Sequence, residues 1–245
     1  MITTYHRPET LDEALKLLAV PQARPLGGGT TLARGSAEPV EVVDLQALGL
    51  NSILRKGSEL ELGATVTLQA LLEAVECPAP LKPAIRLEAP LNIRNSATLA
   101  GTLVSCDGRS TLAACLLALD AKLEILNPQP ETMGLGSFLP LRPRGLITLI
   151  TINLNARFAF ESVGRTPADK PIICAALAQW PSGRARLVIG GFGTAPSLAM
   201  DGTEAEGLEA AARNACHEAA DAFGSAEYRM EVGATLAQRC LRSLS

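Results

Sequence analysis

Apolar residues recur three and four positions apart in several stretches of the chain, the spacing of one helix face. Leu11, Ala14, Leu15 and Leu18 share such a face, and Thr10 with Glu13 opens the helix as a capping box. Leu68, Leu71, Leu72 and Val75 repeat the pattern behind Thr67. Ser110 or Thr111 caps a further helix that buries Leu112, Cys115, Leu116 and Leu119, after which the chain turns at Asp120 into the strand AKLEIL, residues 121–126. Thr203 with Glu206 is expected to cap an Ala-rich helix, and a last helix from about Ser225 stacks Tyr228, Val232, Leu236 and Cys240. Between these lie VEVVDL, ELELGAT, LITLITINL, PIICAALAQW and ARLVIGGFG. They are rich in Val, Ile and Leu and bounded by Gly or Pro, as strands are.

The strands do not alternate with helices as a regular βαβ repeat, which points to an α+β fold. We expect a first domain over residues 1–155, built from a small α/β unit (about 1–55) and a larger mixed α+β unit (about 56–155), followed by a C-terminal α+β domain with a sheet and helices over 156–245. NPQPETMGLGSFLPLRPRG, residues 127–145, is the longest run of turn signals and reads as a surface excursion at a boundary.

Composition narrows the chemistry. With 47% apolar residues in 245, the chain can bury a proper core. A net charge of -3 and the lack of any Lys/Arg run give no electrostatic reason to expect nucleic acid. The N-terminus has no apolar stretch behind a basic start, and no later segment reaches the roughly 18 apolar residues of a membrane span, so a cytoplasmic location is expected. Cys77, Cys106, Cys115, Cys174, Cys216 and Cys240 form no CxxC pair and read as buried free thiols. Only His6 and His217 are available for a histidine metal site or a Ser/His/Asp triad, and neither has a setting that suggests one.

Two polar segments remain. RPLGGGTTLARG, residues 24–35, leads from an apolar approach toward a helix start. Bare amides there suit a phosphate, and clustered glycine equally suits a plain turn; there is neither a Gly-Lys-Ser/Thr ending nor GxGxxG spacing. The second segment, residues 90–125, places Thr98, Gly101 and Thr102 just before Asp107, Gly108, Arg109 and Ser110, all ahead of an apolar helix. Two small-residue loops near helix starts would suit one extended ligand with a diphosphate.

In these segments the chain resembles the FAD-binding subunit or domain of molybdenum hydroxylases, the xanthine dehydrogenase and aerobic carbon monoxide dehydrogenase group. Gly27, Gly28, Gly29, Thr30, Thr31 and Leu32 match that family's N-terminal AGGT-D/S-L-like loop, and Leu26 just before them is a further cofactor-binding candidate. Ile93, Arg94, Asn95, Thr98, Leu99, Ala100, Gly101, Thr102 and Leu103 match its IRN-x-x-T-I/L-G-G-N-L segment. LLALDAKLEI, VGRTPADKPIICAALA and SAEYRMEVGATLAQRCL resemble later passages, so the resemblance covers essentially the whole chain.

The resemblance implies an FAD protein whose two loops grip the pyrophosphate largely through backbone N–H groups, with Asp107 near ribose or adenine and Asp169 at the flavin edge. It implies an oxidoreductase subunit that works within a complex, beside a molybdopterin-containing large subunit and a 2Fe-2S small subunit. There FAD relays electrons from the iron-sulfur clusters to an external acceptor. The alternative is a flavin-free scaffold or assembly subunit that keeps the fold. Departures from the family pattern motivate it: Ala100 for glycine, Thr102 for asparagine, Thr111 for aspartate and Glu161 for a lysine.

Overall fold

The computed structural model describes residues 1–32 and 38–244. In chain order the elements are β1 (Ile2–His6), α1 (Leu11–Leu18), β2 (Ala23–Leu26), β3 (Val40–Asp44), β4 (Ile53–Lys56), β5 (Glu59–Gly63), α2 (Leu68–Glu73), α3 (Leu81–Glu88), α4 (Leu91–Arg94), α5 (Leu99–Ser105) and α6 (Thr111–Ala118). They continue with β6 (Lys122–Leu126), β7 (Pro130–Gly134), α7 (Leu135–Leu141), β8 (Leu146–Asn153), β9 (Arg157–Val163), β10 (Ile173–Gln179), β11 (Ala185–Gly190), β12 (Ser197–Gly202), α8 (Leu208–Ala215) and α9 (Ala226–Leu244).

The chain forms two compact units, each built from separated segments. The first comprises Met1–Glu76, Leu91–Ser105 and Lys122–Thr151; the second comprises Cys77–Pro90, Cys106–Ala121 and Ile152–Ser245. The second unit therefore takes α3 and α6 from the range that the sequence assigns to the first domain.

In the first unit, β1 and β2 both run parallel to a central β3. Thr10 caps α1 as expected, its hydroxyl accepting from the Glu13 amide at 3.3 Å, while the Glu13 carboxylate accepts from the Glu9 amide at 3.2 Å. Ala14 of α1 packs with Ala23, Val43 and Leu45, and Leu11, Leu15 and Leu18 close over them. A second sheet in this unit has the order β4-β5-β8-β6-β7. The expected excursion at 127–145 is instead structured: β7 pairs antiparallel with β6, and α7 buries Leu135, Phe138 and Leu139. Its Pro and Gly residues mark element ends as well as turns.

The second unit is built on an antiparallel sheet of order β12-β11-β10-β9. Side chains alternate across a strand, so Ala175, Leu177, Leu187 and Ile189 share one face, where they pack with Leu208 and Ala212 of α8 and Leu236, Ala237 and Cys240 of α9. On the opposite face Arg186 donates to the Leu117 carbonyl of α6 at 3.2 Å. Strands covered on both faces lose the apolar/polar alternation, which is why β10 and β11 read as continuous apolar runs. Every residue of α6 is buried, as its apolar sequence requires.

Three helix readings need correction. Helix α2 ends at Glu73, so Val75 lies beyond it and is 94% exposed instead of sharing the buried face of Leu68, Leu71 and Leu72. Thr203 does not cap α8: β12 extends to Gly202, and α8 begins only at Leu208, behind Gly207 in a left-handed conformation. In α9 the buried face is Arg229, Gly233, Leu236, Ala237, Cys240 and Leu244, and Tyr228 is exposed. The displaced stripe follows from Arg229, whose guanidinium donates to the carbonyls of Ile172, Ala219 and Gly224 and to the Asp221 carboxylate. A fully buried charge of this kind requires such complete pairing.

Candidate functional site

β2 ends at Leu26, opposite Asp44 of β3, and the chain leaves the sheet at Gly27. Gly28 lies directly against another backbone: a Cβ placed on it would stand 1.6 Å from the Ser96 carbonyl oxygen. No side chain fits there. Gly29 has φ +71, where residues other than glycine are strained. The structure thus brings the first glycine segment onto the start of the second, residues 95–98, with Gly27 against the Thr98 side chain. Among the described residues, the amides of Gly28, Gly29 and Thr30 donate to no protein acceptor. Leu26 and Leu32 are half-buried and Thr31 is exposed; the helix start expected beyond Leu32 falls on residues 33–37, outside the described residues.

The second segment is not an open loop. Residues 91–105 form α4 and α5, and the entry of α5 is knitted to the entry of α2. Ala100 donates to the Ala64 carbonyl, Leu99 to Val66 and Leu68 to Ala97, at 2.9 to 3.1 Å. Two threonines play matching parts: the Thr67 hydroxyl accepts from the Ala70 amide at 3.1 Å, and the Thr98 hydroxyl accepts from the Gly101 amide at 3.2 Å. The Thr102 amide and hydroxyl both donate to the Thr98 carbonyl. The amides of Ala100, Gly101 and Thr102 are therefore all engaged within the protein, unlike those of the first loop.

These segments wall a cavity of about 440 Å3, lined by Gly27, Gly28, Gln46, Asn51, Thr65, Val66, Thr67, Ala70, Asn95, Ser96 and Thr98. Gly27, Gly28 and Thr98 were expected from the sequence. Gln46, Asn51, Thr65, Val66, Thr67, Ala70 and Ser96 were not, because their positions meet only through the interlock of the α2 and α5 entries. Among the described residues no lining side chain is charged. The Gln46 backbone is held by the buried carboxylate of Asp44, which accepts its amide at 2.9 Å and also the Tyr5 hydroxyl. That hydrogen bond to Asp44 raises the Tyr5 phenol above its ordinary value.

The remaining candidates belong to the second unit. Asp107 accepts the Arg109 amide at 2.9 Å in the turn before α6, and Asp169 pairs with Arg165 at 3.6 Å. Thr111 is fully buried and donates to the Ala84 carbonyl at 2.6 Å. Glu161 lies on β9 opposite Ala175 of β10. All six cysteines are free and buried. Among the described residues no group of three or more His, Cys, Asp or Glu is placed to hold a metal ion, and no helix is long and apolar enough to cross a membrane.

Residues 1–152 match the family model described as the FAD binding domain in molybdopterin dehydrogenase. The chain belongs to this family. YgfM of Escherichia coli K12 is 28% identical to this chain over 96% of this chain and 94% of its own. The xanthine dehydrogenase FAD-binding subunit of Escherichia coli O157:H7 is 35% identical over 139 residues, which are 51% of this chain and 47% of that protein. Among solved structures, a chain of carbon monoxide dehydrogenase from Oligotropha carboxidovorans superposes with a TM-score of 0.82 at 25% identity, covering 98% of this chain and 96% of that one. A chain of quinoline 2-oxidoreductase from Pseudomonas putida 86 gives 0.82 at 22% identity, again over 98% and 96%.

The family's cofactor is FAD, and the donor set of this molybdopterin dehydrogenase FAD-binding domain suits it. Among the described residues the amides of Gly28, Gly29 and Thr30 are unengaged, a cradle from which a diphosphate oxygen can accept hydrogen bonds. The Thr98 oxygen already accepts from Gly101, which leaves its hydroxyl proton to donate. Among the described residues the lining has no Lys or Arg, and peptide dipoles are the charge compensation they offer.

Proposed function

We propose that the chain is the FAD-binding electron-transfer subunit of a molybdenum hydroxylase complex in the cytoplasm. In this reading it works beside a 2Fe-2S small subunit and a molybdopterin-containing large subunit, and is an oxidoreductase only within that assembly. The observation that carries the reading is the set of amides at Gly28, Gly29 and Thr30 that are unengaged among the described residues, beside a polar cavity and held by a glycine packed on the Ser96 backbone. Bound FAD would supply exchange between one-electron and two-electron carriers. The chain's own part is to bind and orient: Gly27 to Thr31 wrap the diphosphate, Thr98 donates a hydroxyl proton to it, and Leu26 and Leu32 flank the loop.

One observation favours a second reading, a flavin-free scaffold. The first-turn amides of α5, which the family resemblance would direct at the pyrophosphate, are all taken by Ala64, Val66 and Thr98. An absorption spectrum of the purified protein, followed by acid release and identification of the cofactor, separates the two. Near-stoichiometric FAD supports the electron-transfer subunit. No flavin, even after reconstitution with excess FAD, would overturn it in favour of the scaffold.

A further inference from the structure

Three segments of the second unit bring arginines and aromatic rings to one patch of surface: the turn before α6, the loop between β9 and β10, and the turn before α9. The Arg109 guanidinium lies 3.9 Å from the centre of the Phe223 ring, and that of Arg165 lies 5.7 Å from it. Phe223 sits on a tight turn, its amide and that of Gly224 both donating to the Asp221 carboxylate. It is 41% exposed, as is Tyr228, whose ring stands 3.6 Å from where a Cβ on Gly224 would be. The chain has two tyrosines and five phenylalanines, so one of each left in water at a single place calls for a reason.

What the patch offers besides apolar surface is unfilled donor capacity. Arg109 donates to the carbonyls of Lys170 at 2.9 Å and Pro171 at 3.4 Å through Nη2 and Nε. These contacts and the ring fix its guanidinium, and among the described residues its Nη1 donates to nothing. Arg165 has 65% of its side chain exposed and only a loose 3.6 Å ion contact with Asp169, with no hydrogen bond from its guanidinium among the described residues. A guanidinium fork left open in this way matches a carboxylate in geometry as well as charge.

We infer that this face docks an acidic segment of another protein, one that carries an apolar or aromatic side chain between carboxylates. The carboxylates would take the open edges of Arg109 and Arg165, and the apolar side chain would cover Phe223 and Tyr228. Arginine and aromatic residues are the types enriched at the centres of protein interfaces. Arg109 is already held in place, so ordering it on binding costs little. A nucleic acid would ask for a longer basic stripe, and the chain has no Lys/Arg run. Docking here calls on no residue of the glycine-loop cavity and is independent of the FAD reading.

The probe is a dye-labelled peptide of Glu and Asp around a central Trp, compared with the same peptide carrying Gln and Asn instead. Both are titrated into the full-length protein and followed by fluorescence anisotropy. Wild type should bind the acidic peptide at least about tenfold more tightly than its amide counterpart, and added salt should weaken it. Phe223→Ser and Arg165→Gln should each weaken the acidic peptide by about fivefold or more. Arg157→Gln removes the same charge from an exposed position on β9 and should leave binding unchanged. The Arg165 side chain is exposed and outside the core, so the Tm of Arg165→Gln should match wild type even if Phe223→Ser loosens its turn. Equal binding of the two peptides, or equal effects of Arg165→Gln and Arg157→Gln, would overturn the docking surface. Tighter binding of a single-stranded oligonucleotide or of phosphatidylserine vesicles than of the peptide would overturn it in favour of a polyanion or a lipid surface. Self-association of wild type that Arg165→Gln abolishes would overturn it in favour of a second copy of this chain.

Discussion

Adjacent residues in the glycine loop are constrained by different physics. At Gly28 the constraint is space, since an added methyl would meet the Ser96 carbonyl oxygen; at Gly29 it is chiefly the backbone angle, with only the flexible Leu26 side chain 3.3 Å from an added methyl. We therefore expect Gly29→Ala to cost about 1 kcal/mol, the usual strain of a left-handed residue with a side chain. Gly28→Ala should cost more than about 3 kcal/mol, because backbone rather than a flexible side chain must move. Urea denaturation of the two variants checks the order; equal costs would mean that the Ser96 segment yields easily. The glycine run was legible in the sequence as a loop with a purpose, but its partner was not. Nothing in local spacing indicates that residues 95–98 press on Gly28, a contact between distant parts of the chain. Asn51 and Gln46 were illegible for the same reason, as polar loop residues are ordinary until a cavity is seen beside them.

Elements were legible where a cap and a periodic face agree. Thr10, Thr67 and Ser110 each cap a helix in the structure as the sequence indicates, and Asp120 turns the chain at φ +55. Legibility failed where a polar residue serves the interior, as Arg229 does in α9, and where a strand runs on past a cap signal, as β12 does before Thr203. Helix α6 has a cap that no local pattern announces. Glu88, at the end of α3 and only 8% exposed, accepts from the Ser110 hydroxyl at 2.8 Å and the Leu112 amide at 3.0 Å, with the Thr111 oxygen 3.3 Å away. This ties two helices of the second unit and favours a negative charge at a helix N-terminus. Glu88→Ala leaves the Ser110 hydroxyl and the Leu112 amide without their acceptor and should lower stability by about 2–4 kcal/mol. Glu88→Gln keeps one acceptor oxygen and should lose less. Thermal melts of both variants compare these costs, and equal losses would locate the effect in charge rather than hydrogen bonding.

At the scale of the molecule, burial makes the thiols inert. Loss of solvent pushes Cys77 and Cys216 up to about 11 and Cys174 and Cys240 up to about 12, and burial raises Cys115 as well. The folded chain should leave a thiol reagent unreacted near pH 8, and all six thiols should react in denaturant. The sign of the pH dependence follows. Above about pH 9 the unfolded chain releases thiol protons that the folded chain retains, so this contribution to stability is lost as pH rises from about 9 to 12. Urea midpoints measured across that range should fall, and a flat profile would contradict the burial. The sequence also suggested a clean boundary near residue 155, yet the second unit is assembled from three separated segments. A chain truncated at residue 155 should therefore aggregate, since α3 and α6 lose the strands of their own unit; a monodisperse, helical fragment in size exclusion would refute this.

The same interleaving sets an order on synthesis. Helix α6, apolar on every side, leaves the ribosome before any residue of β10 or β11 has been made. Until those strands arrive, the nascent chain carries a greasy segment with no place to settle, an invitation to chaperones that hold unfinished polypeptides. Slowing translation between residues 121 and 190 should prolong that interval and lower the yield of native protein.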